Sequence, residues 1–263
     1  MDEWQRNFLD SSPMFEPLRG VGAALAKLDR WPTLEDYNAL LNPPIHTASG
    51  AALRFVPQAG KPAHMEGKYE ARIYLHGEVQ TRTENWHDLF NALAWLAFPR
   101  AKAAINARHF GAISSGRAGN RDKMQDALTL FDESGVIVAC ADDELAGLLR
   151  DFQWHQLFWE WRQAVTERMK FVLFGHSLYE KALRPYVGFT GKGLLVRVEA
   201  GQGMLEQPTG VLDSLLAERL AQGESLTSRG LTPVPLLGVP GWWEGNECPE
   251  FYGNTGYFRP SKK

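Results

Sequence analysis

The stretch from Glu84 to His109, ENWHDLFNALAWLAFPRAKAAINARH, limits what this chain can fold into more than any other. Between Trp86 and Phe98 nearly every face of a helix drawn on it is apolar, and a helix that is apolar all round has to be enclosed by other elements. Pro99 lacks an N–H, and its ring displaces the carbonyl four residues earlier, so the spacing predicts a kink or a pair of helices meeting there. The rest of the chain must therefore supply a surrounding layer. With 263 residues, 44% of them hydrophobic and 22% charged, it has the material for a sizeable core. No internal repeat, low-complexity tract or polar linker divides it, and residues 1–263 read as a single domain.

Polar residues interrupt this apolar segment. Glu84, His87, Asp88 and Asn91 fall at i, i+3, i+4 and i+7, on one side of a helix. After Pro99 the same spacing returns with Lys102, Asn106 and His109, so two helical pieces are expected to present polar stripes to one cavity. Burying such groups without partners costs on the order of 2 to 7 kcal/mol each, so something must satisfy them. A divalent transition metal (zinc, manganese or iron) would do so through His87, Asp88 and His109, because imidazole and carboxylate are the usual ligands. The structural alternative has His87 bonded to nearby backbone, Asp88 facing the helix dipole and Asn91 in a buried network. The metalloprotease HExxH is absent, so the metal reading rests on residue type and facing.

Two further candidates carry chemistry. In FGHSLYEKAL, His176 and Glu180 are four apart, a spacing that can chelate a metal, orient a general base or form a surface salt bridge. Arg121 could grip a phosphate or carboxylate and Asp126 could serve as general base; a loop salt bridge is the plainer reading. SSGRAGNR, residues 114 to 121, lacks the spacing of a phosphate-cradling loop. With no G-x-S-x-G elbow, and with Cys140 ending an apolar run, a covalent mechanism is not expected.

Elsewhere, residues 1 to 50 read as an N-terminal arm of short helices broken by prolines, with Thr33 capping a helix and Asp36 three residues on. Ala51 to Pro57 reads as a strand, Lys68 to Thr81 as a hairpin turning at His76-Gly77, and Asp126 to Ala139 as a second hairpin turning at residues 132 to 135. Asp142 and Asp143 introduce a long helical stretch interrupted near Gly175; Leu194 to Val198 is a strand and Val211 to Ala221 an amphipathic helix. Residues 231 to 260, rich in proline, glycine and aromatics, form no regular element and wrap the body. The fold class is α+β: a mixed or antiparallel sheet built from hairpins, with helices packed against it.

A formal charge of −3 gives no strong nucleic-acid signature, and two cysteines without CxxC spacing exclude a disulfide framework. No apolar run is long enough to span a bilayer and the N-terminus does not read as a secretory signal, so a cytoplasmic location is expected.

Several stretches together, WHDLFNALAWLAFPRAKAAINARH, DALTLFDESGVIV, FGHSLYEKAL, PVPLLGVPGWW and FYGNTGYFRP, resemble a bacterial family catalogued only as a domain of unknown function, number three thousand and twenty-five in that series. The resemblance spans about residues 60 to 260 and implies a stand-alone bacterial protein of about this size. It brings no activity, cofactor or catalytic residue. Where the family has an acidic pair after FY, this chain has Gly253-Asn254, which argues against a role for carboxylates in the tail.

The functional expectation from the residues is a metal-dependent hydrolase of a small or phosphate-bearing substrate. His87, Asp88 and His109 would hold the ion, Asp126 would be the base, and Arg121 or Lys102 would steer an anion. The alternatives are a non-catalytic binding or adaptor protein for a protein or RNA partner, with a structural polar stripe, and a metal-free enzyme using Asp126 and His176 as acid and base.

Overall fold

The structure, a computed structural model, describes residues 3–60, 64–115, 123–199, 209–221, 226–227 and 230–260. Two 3-10 turns, Phe8–Asp10 and Pro13–Phe15, lead into α1 (Glu16–Ala26) and α2 (Leu34–Ala39). The expected cap of α2 forms as a capping box, with Thr33 accepting from the Asp36 N–H while the Asp36 carboxylate accepts from the Thr33 N–H. Next come β1 (Arg54–Val56), α3 (Tyr69–His76) and β2 (Glu78–Gln80), and β1 pairs with β2 in parallel.

The hairpin expected at His76-Gly77 is not there: its first arm is α3. Gly77 closes that helix at φ 69°, its N–H donating to the Arg72 and Ile73 carbonyls. A left-handed glycine ends a helix as readily as it turns a hairpin, and the short run before it fits both periods. No other residue fits here, since a Cβ at Gly77 would stand 2.0 Å from the Ala52 carbonyl oxygen.

α4 (Trp86–Ala97) and α5 (Pro99–Ser114) meet at Pro99, as the spacing predicts, and are followed by α6 (Lys123–Ser134) and β3 (Gly135–Cys140). The second expected hairpin is thus also replaced by a helix. Leu128 and Phe131, three apart, are fully buried on α6, and only the GVIVAC run is strand. Then come α7 (Asp143–Arg150), a π-helical turn (Gln156–Glu160), α8 (Arg162–Arg168), β4 (Met169–Leu173), α9 (His176–Ala182), β5 (Thr190–Arg197), α10 (Thr209–Ala221) and β6 (Thr232–Pro235). MKFVL, expected to continue a helix, is instead a strand paired with β3, and β6 is a regular element inside the tail read as irregular.

The larger sheet has the order β4-β3-β5-β6. β3 is central and all six of its residues are buried, which is why GVIVAC is apolar without alternation. It runs parallel to β5 and antiparallel to β4, and β5 is antiparallel to β6. The fold is therefore α+β with a mixed sheet and helices around it, its neighbouring strands joined through helices rather than tight turns. α4 lies against α1, α5 and α9. A continuous apolar cluster runs from Phe8 to Phe258; the buried Tyr257 hydroxyl bonds the tail to the Phe189 carbonyl, and Asn246 and Tyr257 bond main-chain groups of residues 237 and 239 within the tail. Among the described residues no helix is long and apolar enough to cross a membrane, and Cys140 and Cys248 are both free.

Candidate metal centre and cleft

Three turns of chain bring the site together. At the start of α4 the Asn85 side chain accepts from the Asp88 N–H at 2.9 Å, placing His87 in the first helical turn. Glu84 precedes that cap with φ 56° and is exposed, so the four-residue stripe expected from it is broken at its first member. His176 is the first residue of α9, directly after Gly175. A Cβ on Gly175 would stand 2.4 Å from the main-chain nitrogens of Ser134 and Gly135 and 2.5 Å from the Glu133 carbonyl carbon. Only glycine allows this turn to lie against the junction of α6 and β3, where its N–H donates to the Gly135 carbonyl at 2.9 Å. That close approach sets His176 beside Glu133.

The result is a group of two imidazoles and a carboxylate. His176 Nε2 is 3.1 Å from His87 Nε2 and 3.6 Å from Glu133 Oε1, and one potential ligand atom from each residue lies within 4.8 Å of the others. The outer nitrogens both face carboxylates: His87 Nδ1 is 3.3 Å from Glu180 Oε2, and His176 Nδ1 is 3.8 Å from Asp132 Oδ2. His176 is 4% exposed and its Nδ1 has no hydrogen-bond partner. Ser177 donates its hydroxyl proton to Glu133 Oε2 and also lies 3.4 Å from His87 Nδ1.

Behind this group lies a buried polar network. Lys102, 4% exposed, donates to Asp132 Oδ1 at 2.6 Å and to Asn91 Oδ1 at 3.0 Å. Asn91 in turn donates to the Tyr69 hydroxyl at 2.9 Å. Burial, and then the Lys102 charge, hold the His176 imidazole down at about 4, against the pull of Asp132 and Glu133, so the ring is neutral at ordinary pH. Burial pushes the Asp132 carboxyl up, but Lys102 and His176 outweigh it and hold it below its usual range.

Two imidazoles beside a carboxylate, one of them held neutral by burial, suit a transition metal. Zinc–nitrogen distances of about 2.0 to 2.1 Å in a tetrahedral site put neighbouring donors roughly 3.3 Å apart; two of the three separations, 3.1 and 3.6 Å, lie on either side of that, and the third, between His87 and Glu133, is longer but within 4.8 Å. Carboxylates on the outer nitrogens are the usual support of metal-bound histidines.

The group borders a cleft of about 550 Å³, also lined by Tyr69, Glu70, Arg82, Asp88, Asn91 and His109. Of the residues nominated for a metal from the sequence, His87 belongs to the group and the other two lie elsewhere in the cleft. Asp88 accepts from the Arg82 backbone N–H, Nε and Nη2 at 2.7, 3.0 and 2.8 Å; burial works against its ionisation, and these bonds hold the carboxyl low. His109 stands near Glu70 and Asp132, favouring the charged form of both. Asn106 donates to the Glu70 carbonyl and carboxylate at 2.9 and 2.6 Å. Asp126 is exposed on α6 and is not among the cleft-lining residues, and Arg121 lies outside the described residues. His176 and Glu180, read as a separate candidate, meet His87 here. Glu133 is not among the residues the sequence points to, because its segment reads as a hairpin turn; the signal that could have found it is the three-residue spacing of Leu128 and Phe131, which fits a helix over 123–134.

A family model described as "Protein of unknown function (DUF3025)" matches residues 53–262. No curated protein and no solved structure matches the chain.

Proposed function

Since the chain belongs to the DUF3025 family, whose function is unknown, we propose from the cleft itself that it is a metal-dependent hydrolase of a small substrate, with the ion held by His87, His176 and Glu133. One observation carries this reading: two Nε2 atoms 3.1 Å apart, each on a ring whose Nδ1 faces a carboxylate. Two neutral rings joined by a hydrogen bond would need one Nε2 to donate and the other to accept. The donating ring would then turn an unprotonated Nδ1 toward its carboxylate, lone pair against lone pair. The Ser177 proton, engaged by Glu133, does not relieve this. Either one added proton or a metal ion between the two Nε2 atoms removes the conflict, because both rings then keep a proton on Nδ1 directed toward Glu180 and Asp132; the ion is the reading that also uses Glu133.

Such an ion acts as a Lewis acid and lowers the pKa of water it binds. Three protein ligands with a side open to a cleft fit a catalytic site rather than a closed structural one. The cleft would hold the substrate's electrophilic atom at that side, and hydrolysis adds the hydroxyl of water to that atom and a proton to the leaving group.

The test is elemental analysis of the purified full-length chain, with thermal melts in added zinc, manganese and iron, followed by a screen of ester, amide and phosphoester substrates. About one ion per chain is expected, lost in His87→Ala and His176→Ala while the fold survives. A metal-free protein whose melting point none of the three ions raises would overturn the metal. Iron alone, with no hydrolysis and with consumption of oxygen, would overturn the hydrolase, because two histidines and a carboxylate also serve non-haem iron. If His87→Ala unfolds the chain and no metal is present, the polar group is structural and the protein is a binding or adaptor molecule.

A further inference from the structure

Resting on that metal reading, we infer that the cleft has a second subsite at Glu70, built for a primary ammonium group of the substrate, and that the substrate is a small amide or ester carrying such an amine rather than a phosphoester. The charges lining the cleft decide this. Among the described residues, its anionic side chains are Glu70, Asp88, Asp132 and Glu133. Among the described residues, the cations at hand are Arg82, the His109 imidazole when it carries a proton and, beneath the wall, Lys102. Arg82 is engaged by Asp88 through its backbone and two guanidinium nitrogens, and Lys102 by Asp132. Each of the three already faces a carboxylate, and the oxygens of a phosphate would meet those carboxyls as well.

Once Glu133 serves an ion, Glu70 is the acid left over. Burial pushes its carboxyl up, and neither His109 nor the Asn106 amide fully offsets that. The Asn106 amide points the other way from what an anion would need: its Nδ2 is spent on the two Glu70 oxygens, while its Oδ1 lacks any donor although the residue is only 2% exposed. The Glu70 carboxyl lines the cleft short of counter-charge, and its hydrogen-bond partner Asn106, which is not among the cleft-lining residues, carries an unmet acceptor, so the pair as a whole is short of positive donors. With a divalent ion in place the cleft becomes dipolar. Positive charge at the imidazoles attracts the carbonyl oxygen of the scissile bond, and negative charge at Glu70 attracts an ammonium.

The test uses the full-length, metal-loaded protein and hydroxamates, which bind metal through their two oxygens. A series of ω-amino hydroxamates of increasing chain length is titrated calorimetrically, each beside its desamino twin, with inorganic phosphate as the anion control. At one chain length the amine is expected to tighten binding roughly 10- to 100-fold, the size of a charge-assisted hydrogen bond. Glu70→Gln should erase that gain while leaving the metal content and the affinity for acetohydroxamate unchanged. The inference is overturned if a metal-loaded chain binds both twins alike at every length, if Glu70→Gln keeps the gain, or if phosphate binds as tightly as the best amine. A chain that takes up neither metal nor hydroxamate overturns the metal reading and this inference together, so the two failures are distinguishable.

Discussion

The two sides of α4 are made in opposite ways. On one, Trp86 and Phe90 sit in a nest of rings: Trp4 stacks on Trp86 at 5.2 Å, and Phe8, Phe15 and Tyr179 surround Phe90 at 5.6 to 5.8 Å. On the other, His87 and Asn91 enter a chain of hydrogen bonds and ion pairs that reaches α3, α5, α6 and α9. The ring side is held by area, and each ring contributes largely on its own. The polar side is held by pairing, so each group is worth something only while its partner stands. A protein needs only the first kind of surface to fold; the second kind costs desolvation and points to a task.

The largest effect that would test this contrast is on the ring side. Phe90 is completely buried, and Phe90→Ala is expected to lower stability by about 3 to 5 kcal/mol in denaturant titrations. Folded Phe90→Ala protein should still bind metal with its original affinity. If affinity fell in step with stability, the two sides would not be independent.

On the polar side, Lys102→Met leaves Asp132 without its counter-charge and should cost about 3 kcal/mol or more. Here the double variant Lys102→Met/Asp132→Leu should recover most of the loss, which no second substitution next to Phe90 should do. Metal affinity in the double variant should stay roughly 10- to 100-fold weaker, because the carboxylate facing His176 Nδ1 is gone. A double variant as unstable as the single one would show that the pair is ordinary packing. Smaller again is Gly175→Ala, where overpacking against Glu133, Ser134 and Gly135 should cost about 1 to 3 kcal/mol. It should weaken metal binding far more than a ring-side variant of equal cost, since it forces His176 away from Glu133.

The same contrast explains what could be read from the sequence. Enclosure of α4, the break at Pro99 and the burial of Asn91, Lys102 and Asn106 follow from the residues around them, because polar groups inside an apolar helix pair have nowhere else to go. The helix of α6 and the strand β4 differ from what the sequence suggests for one physical reason. Runs such as LTLF and MKFVL fit both periods, and their state is fixed by distant partners: Lys102 for the end of α6, and β3 for β4. His87 and His176 were each legible as reactive residues, but 89 positions separate them and no spacing rule joins them. What joins them is the glycine at 175, whose role is visible only once the junction of α6 and β3 lies against it.

The effect most specific to the polar side is a pH slope in protein stripped of metal. His176 titrates at about 4 in the folded chain against 6.5 for an ordinary histidine, so between those values the unfolded chain binds more protons than the folded one. Stability should therefore rise with pH across that window, by less than about 1.4 kcal/mol per pH unit, and this contribution should level off above it. Glu70 works in the other direction, since its carboxyl is raised by burial and the folded chain holds that proton longer. The quantity to measure is thus the difference between wild type and His176→Asn, with urea melts at a series of pH values; the wild type should be the more acid-sensitive of the two. Phe90→Ala should shift the whole curve down without changing its slope. A slope that survives His176→Asn would mean that the ring is not the neutral, desolvated group a metal ligand has to be.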